Sequence, residues 1–217
     1  MNVNNLLDLY TNYLLVAPTY STATGLSLVT DNKVSHDQVT RLLSGSISSK
    51  TLWLQAKPMA HEISTSEGVL IIDDSIEPKK HTKTNPLINL HYDHCSGKNV
   101  KGVNFVSSYY YSPKYDIGLP VGVEFVKKDL AVVGKNGKPS YKSKQTKNEM
   151  MRQMVVHANK NIGFKYVLAD SWFSSSENMS CIAQDCSSDF IMALKSNRVV
   201  ALSEKDKAQG IIKVLNL

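Results

Sequence analysis

Apolar residues fall at helical spacing between Asn5 and Val16, where Leu6, Leu7, Tyr10, Leu14 and Leu15 share one face. Pro18 ends this helix. A second short helix is predicted over residues 22–29, followed by a polar turn from Thr30 to Val34. Ser35 then supplies an N-cap for a third helix, which runs through Val39, Leu42 and Leu43 to Gly45. Residues 49–63 form a fourth, with Leu52, Trp53 and Leu54 on its core face. After these helices the period changes. Val69-Leu70-Ile71-Ile72 is a continuous apolar run, mostly β-branched, and reads as a strand buried on both faces that runs directly into Asp73, Asp74 and Ser75.

Further strands follow. Residues 101–112 alternate apolar and polar positions, and Leu119–Val126 makes a second strand across the turn at Pro113–Gly118, an antiparallel hairpin. The run Tyr109-Tyr110-Tyr111 is expected to be partly buried in that sheet. Residues 127–147 read as a basic loop carrying Lys127, Lys128, Lys135, Lys138, Lys142, Lys144 and Lys147. A helix is predicted from Lys147 to Asn161, with Met150, Met151 and Met154 filling core. Residues 164–169 then repeat the earlier arrangement: an apolar strand, Tyr166-Val167-Leu168-Ala169, ending in Asp170-Ser171. Ser174-Ser175-Ser176-Glu177 is a capping signal for a helix through Met179, Cys181 and Ile182. Asp189–Lys195 is another strand, while Val199–Leu202 and Ile211–Leu215 open a β-rich segment.

The pattern divides the chain into a helical segment over residues 1–66, an α/β core over 67–198 and an incomplete β-rich segment over 199–217. The second and third helices, joined by the polar turn, have the layout of a helix-turn-helix, with His36, Gln38, Thr40 and Arg41 of the third presented to DNA.

Composition narrows the class. With 42% hydrophobic and 20% charged residues over 217 positions, the chain has enough apolar content to fold around a core. The net charge of +6 is unevenly placed. Residues 1–66 balance four basic against four acidic side chains, so the excess, 21 against 15, lies in residues 67–217. Carboxylate pairs inside a basic domain suit a metal-dependent enzyme acting on a polyanion. Cys95, Cys181 and Cys186 lack the spacing of a zinc site or a disulfide framework, which points to a reducing compartment. No apolar run reaches the roughly 18–20 residues of a membrane span, and the polar N-terminus is unlike a signal peptide, so a cytoplasmic protein is expected.

Two strands that each deliver an Asp at the same end place both carboxylates on one hard divalent cation. The ordinary alternative is that Asp73 and Asp74 cap the next segment. Beside them, Ser75–Lys83 reads as a polar loop whose Lys79, Lys80 and Lys83 hold a phosphate backbone. His91-Tyr92-Asp93-His94 has metal-ligand spacing without further ligands nearby, and reads as a loop or strand edge.

The order of elements from residue 68, with Ile71-Ile72-Asp73-Asp74-Ser75, Pro78-Lys79-Lys80 and Leu168-Ala169-Asp170-Ser171-Trp172-Phe173-Ser174, resembles the ribonuclease H-like core of DDE transposases from bacterial insertion sequences. The likeness covers roughly residues 20–200. It implies a mixed sheet flanked by helices, two Asp and a later Glu holding two Mg²⁺ (or Mn²⁺), and strand cleavage and transfer at the ends of an element. Asp170 corresponds to the second Asp. The first is Asp73, with Asp74 as its alternative. All three carboxylates are candidate metal ligands, and Lys79, Lys80, Lys83, Gln38, Arg41, Lys142 and Lys144 are candidate DNA contacts. Double-stranded DNA, as transposon ends and target, and a homodimer on paired ends are the implied partners. The family's Glu lies on a helix after the fifth strand, often beyond a β-rich insertion. Glu177 is in the wrong element and Glu204 in a turn-like segment, so the chain is expected to be C-terminally truncated. A remnant that only binds element ends, or another metal nuclease on the same core, are the competing expectations.

Overall fold

The computed structural model describes residues 3–17, 20–45, 48–133, 137, 139–195, 199–201, 203–210 and 212–213. It divides into two compact units, residues 1–48 and 49–217.

The first unit contains α1 (Val3–Val16), α2 (Ala23–Val29) and α3 (His36–Ser44) around a small core of Leu6, Tyr13, Leu26, Val34 and Val39. Capping residues define the helix starts. The Thr22 hydroxyl accepts the Gly25 N–H at 3.0 Å, and Ser35 and Gln38 form a reciprocal capping box in which Gln38 Oε1 accepts the Ser35 N–H at 2.9 Å. The position expected for Pro18 lies outside the described residues.

The second unit begins with α4 (Ser49–Ile63), so the division into units falls near Ser48. The reason is packing. Trp53, Ala60 and Ile63 are buried in the same core as the central sheet, and the Ser49 hydroxyl donates to the Val123 carbonyl at 3.0 Å. Only part of the expected face is inward, because Leu52 and Leu54 are 39% and 55% exposed.

A six-stranded sheet follows, built from β1 (Val69–Pro78), β2 (Ile88–Asp93), β3 (Lys98–Ser112), β4 (Ile117–Phe125), β7 (Tyr166–Ala169) and β8 (Asp189–Met192). The hairpin of β5 (Leu130–Val133) and β6 (Pro139–Lys142) stands apart from it. In the main sheet β1 is central, antiparallel to β3 and parallel to β7, which is in turn parallel to β8. β3 is long enough to pair with β2 along its first half and with β4 along its second. With α4, α5 (Lys147–Asn159) and α6 (Ser176–Ser180) beside it, this mixed sheet is consistent with a ribonuclease H-like fold.

The two faces of the sheet differ. Leu70 and Ile72 of β1, Val106 and Tyr110 of β3, and Val167 of β7 pack with Met150, Met151, Met154 and Val155 of α5. On the opposite face Val69, Ile71 and Leu168 are half-buried, while Tyr109 and Ile191 are exposed. The buried Tyr110 also takes the Thr65 N–H on its phenolic oxygen at 2.9 Å.

Three polar stretches depart from the sequence expectation. Ser75–Pro78 continues β1, because its backbone pairs with Gly102–Phe105 even though its side chains alternate only weakly. The expected loop over 127–147 contains the β5–β6 hairpin, with Lys135 and Lys138 outside the described residues. Ser203 caps a short helix, α7 (Glu204–Gln209), where a turn was expected. It separates β9 (Val199–Val200) and β10 (Ile212–Lys213), an antiparallel pair within the expected β-rich segment; Leu202, Ile211 and residues 214–217 lie outside the described residues.

α5 starts at a full capping box. Glu149 Oε2 accepts the Thr146 N–H at 2.7 Å and its hydroxyl at 2.8 Å, which holds the Glu149 carboxyl below its ordinary range. Replacing Thr146 with Ala is expected to cost about 1 kcal/mol of unfolding free energy. The check is a lower urea midpoint with an unchanged m-value.

Candidate functional site

The last paired residues of β1 and β7 are Ile72 and Ala169, so Asp73 and Asp170 stand side by side one position further on. Neighbouring residues in register point to the same face of a sheet, and side chains alternate along a strand. Asp73 and Asp170 therefore share the half-exposed face with Ile71 and Leu168. Both are exposed. Each has one oxygen engaged by a backbone amide: Asp73 Oδ1 accepts the Asp74 N–H at 2.8 Å, and Asp170 Oδ1 accepts the Trp172 N–H at 2.8 Å. The second bond makes Asp170 the N-cap of a 3₁₀ turn over Ser171–Phe173.

Asp74 behaves differently. Alternation turns it to the helix-covered face, where Lys147 at the start of α5 donates to its Oδ2 at 2.5 Å, with both side chains four-fifths buried. Neither Asp caps a following segment, since the strand continues through both. Geometry thus separates two adjacent carboxylates, one beside Asp170 and the other neutralised by a lysine.

A two-carboxylate edge supplies hard oxygen donors, and Mg²⁺ commonly uses one or two carboxylates and completes its shell with water and substrate phosphate. The residues present fit such an ion. Among the described residues no group of three or more His, Cys, Asp or Glu side chains is arranged to hold a metal.

The candidate DNA contacts are scattered. Lys79 is tied to Glu77 at 3.1 Å beyond the end of β1, while Lys80 and Lys83 are exposed in the turn that follows. Lys142 is exposed at the end of β6, and Lys144 lies 3.8 Å from Asp129. In the first unit Arg41 is exposed, and Gln38 uses its side chain in the capping box.

Sequence reasoning missed the surroundings of Asp170. Trp172 is 38% exposed and has the Lys195 ammonium 4.5 Å and the Lys147 ammonium 5.9 Å from its ring centre. The His94 ring lies 4.9 Å from Trp172, and Tyr92 packs edge-on to His94 at 4.9 Å. The only sequence signal was the His91–His94 stretch, which forms the end of edge strand β2 and the turn after it.

His91 is buried, with Nε2 lacking a hydrogen-bond partner among the described residues. Burial, reinforced by Lys128 and Lys147, pushes its pKa down to about 4. A neutral buried imidazole must charge as the medium is acidified, so the stability it contributes is complete above about pH 6.5 and is lost as pH falls toward 4. His91→Phe is expected to flatten the fall in melting temperature between pH 7 and 4.5. An unchanged slope would remove His91 from that role.

A separate cavity of about 560 Å³ lies between α4, β4 and α5, lined by Trp53, Leu54, Met154 and His157 among others. None of the three Asp side chains lines it.

The mixed sheet, with β1 and β7 parallel at its centre, is of the ribonuclease H-like class of architecture. The chain belongs to the DDE superfamily endonuclease family, whose model matches residues 5–209. No curated protein and no solved structure matches it. No helix among the described residues is long and apolar enough to cross a membrane.

Proposed function

We propose that this chain is a transposase-type DNA endonuclease that cuts and transfers strands at the ends of an insertion element, with Asp73 and Asp170 as its metal-binding carboxylates. The observation that supports the reading is that Asp73 and Asp170 each follow the last paired residues of the adjacent parallel strands β1 and β7, Ile72 and Ala169. Asp73 and Asp170 would hold Mg²⁺ or Mn²⁺, which would supply the activation of a water or a DNA 3′-hydroxyl and the stabilisation of the leaving oxygen. The protein's own contribution is positional. Backbone amides fix one oxygen of each carboxylate, and Lys147, held by Asp74, keeps a positive charge close to Trp172. Lys79, Lys80, Lys83, Lys142 and Lys144 are phosphate contacts in this reading, and α3 with Gln38 and Arg41 is the DNA-facing helix of the first unit. Double-stranded element ends and target are the substrates, paired by a homodimer in the cytoplasm.

The test is cleavage of DNA carrying the element ends by the purified chain, with Mg²⁺, with Mn²⁺ and with chelator. Metal-dependent cleavage that disappears in Asp170→Asn supports the proposal. Salt-sensitive binding of the same DNA without cleavage would instead identify a protein that only binds element ends.

A further inference from the structure

We infer that the cavity between α4, β4 and α5 is a binding site for a small amphipathic anion: an apolar body, a polar atom within it and a negative group at one end. At about 560 Å³ the space falls within the usual range for small-molecule sites. Its floor is apolar. Trp53, Val121 and Met154 are buried around it, and the Trp53 ring is held edge-on to His157 at 5.4 Å. One polar group is set among them. Ser108 lines the cavity and is 2% exposed, and its hydroxyl makes no hydrogen bond among the described residues. Leaving a buried hydroxyl without a partner is costly, and nearly all such groups are paired in folded proteins. The backbone keeps this one open. β4 has an extra residue, Val121, between the partners of Ser108 and Tyr109, which sets Gly122 opposite Ser108. A Cβ on Gly122 would stand 2.7 Å from the Ser108 oxygen and 3.3 Å from the Met154 methyl, so any larger residue would crowd the hydroxyl.

Charge in the lining selects the sign of the ligand. Lys50 and Lys57 stand about two turns apart on the cavity side of α4. Neither is ion-paired among the described residues, and Glu124 is the single acidic residue among those lining the space. The lining therefore carries an excess of positive charge over an apolar floor. An apolar body buries against Trp53 and Met154, its internal polar atom meets Ser108, and its anionic end stays beside the lysines. A wholly apolar occupant would leave Ser108 without a partner and make no use of the charge.

Two dyes that differ only in the anionic group test this, anilinonaphthalene sulfonate and the uncharged phenylnaphthylamine. Each is titrated by fluorescence into the full chain, into Ser108→Ala, into the Lys50→Gln, Lys57→Gln double variant and into Leu54→Trp, with melting temperatures to confirm folding. Leu54 lines the cavity yet is 55% exposed, so a larger ring there narrows the opening without entering the core. The sulfonate should bind roughly 3- to 10-fold more tightly than the neutral dye, and the double lysine variant should erase that preference. Ser108→Ala should weaken both dyes roughly 2- to 10-fold, and Leu54→Trp by at least about 10-fold. Unchanged binding of the sulfonate by folded Ser108→Ala and Leu54→Trp overturns the site. Equal affinity of the parent for the two dyes overturns the anionic ligand. A parent that binds neither dye overturns both, and dimerisation that is lost in Leu54→Trp would then assign the cavity to a contact between copies of the chain.

Discussion

Asp73→Asn is expected to abolish metal-dependent cleavage, by at least about 10³-fold, whereas Asp74→Asn should lower it about 10-fold or less. The two residues are neighbours with the same chemistry, so the difference comes from the sheet. Asp73 shares its face and level with Asp170, and Asn in its place removes a negative charge that the proposed ions require. Asp74 lies on the other face in an ion pair with Lys147. Its replacement leaves a four-fifths-buried ammonium without its partner, a change felt first in stability and in DNA affinity. Side-by-side cleavage rates of the two variants, with their melting temperatures, decide the matter. Loss in Asp74→Asn alone would reverse the assignment of the first carboxylate.

Phe173→Ala should destabilise the second unit by about 3–5 kcal/mol, a large share of the 5–15 kcal/mol that holds a typical domain folded. Phe173 follows the exposed Trp172 by one residue yet is fully buried, in the same core as Ile72, Val167 and Ile182. The 3₁₀ turn after Asp170 sends one ring outward and the next inward. Truncating the inward ring leaves a cavity beneath the carboxylate, so activity per folded molecule is expected to fall as well. Urea unfolding of Phe173→Ala beside Trp172→Ala separates the roles, since the exposed ring should cost far less.

Helix starts were readable because their signals are local. Ser35 with Gln38 and Ser175 with Asn178 mark the first turns by hydrogen bonds within three residues. Strand pairing is not local. The four apolar residues Val69–Ile72 carry no alternation, so they cannot reveal which of Asp73 and Asp74 faces inward. That became legible only when α5 was seen to cover Leu70 and Ile72. The extension of β1 through Ser75–Pro78 was hidden for a related reason, since its stability comes from backbone bonds to β3 and not from buried side chains. The meeting of Tyr92 and His94 with Trp172 joins residues far apart in the chain, which no window of sequence contains.

Gly68, just before β1, and Gly102 of β3, opposite the last residue of β1, leave no room for a side chain. A Cβ at Gly68 would stand 2.2 Å from the Tyr110 phenolic oxygen, and one at Gly102 would stand 2.3 Å from the Glu77 carbonyl. These close approaches fasten β1 against β3 above and below the carboxylates. Strand parity acts here like a reading frame: a shift by one residue would exchange Asp73 for Asp74 beside Asp170 while preserving every residue type. Single-residue insertions within Val69–Ile72 should therefore silence the protein as completely as losing the carboxylate, because they bring Ile72 to the level of Asp170, and insertions of two residues restore the face but leave Asp73 two positions beyond that level.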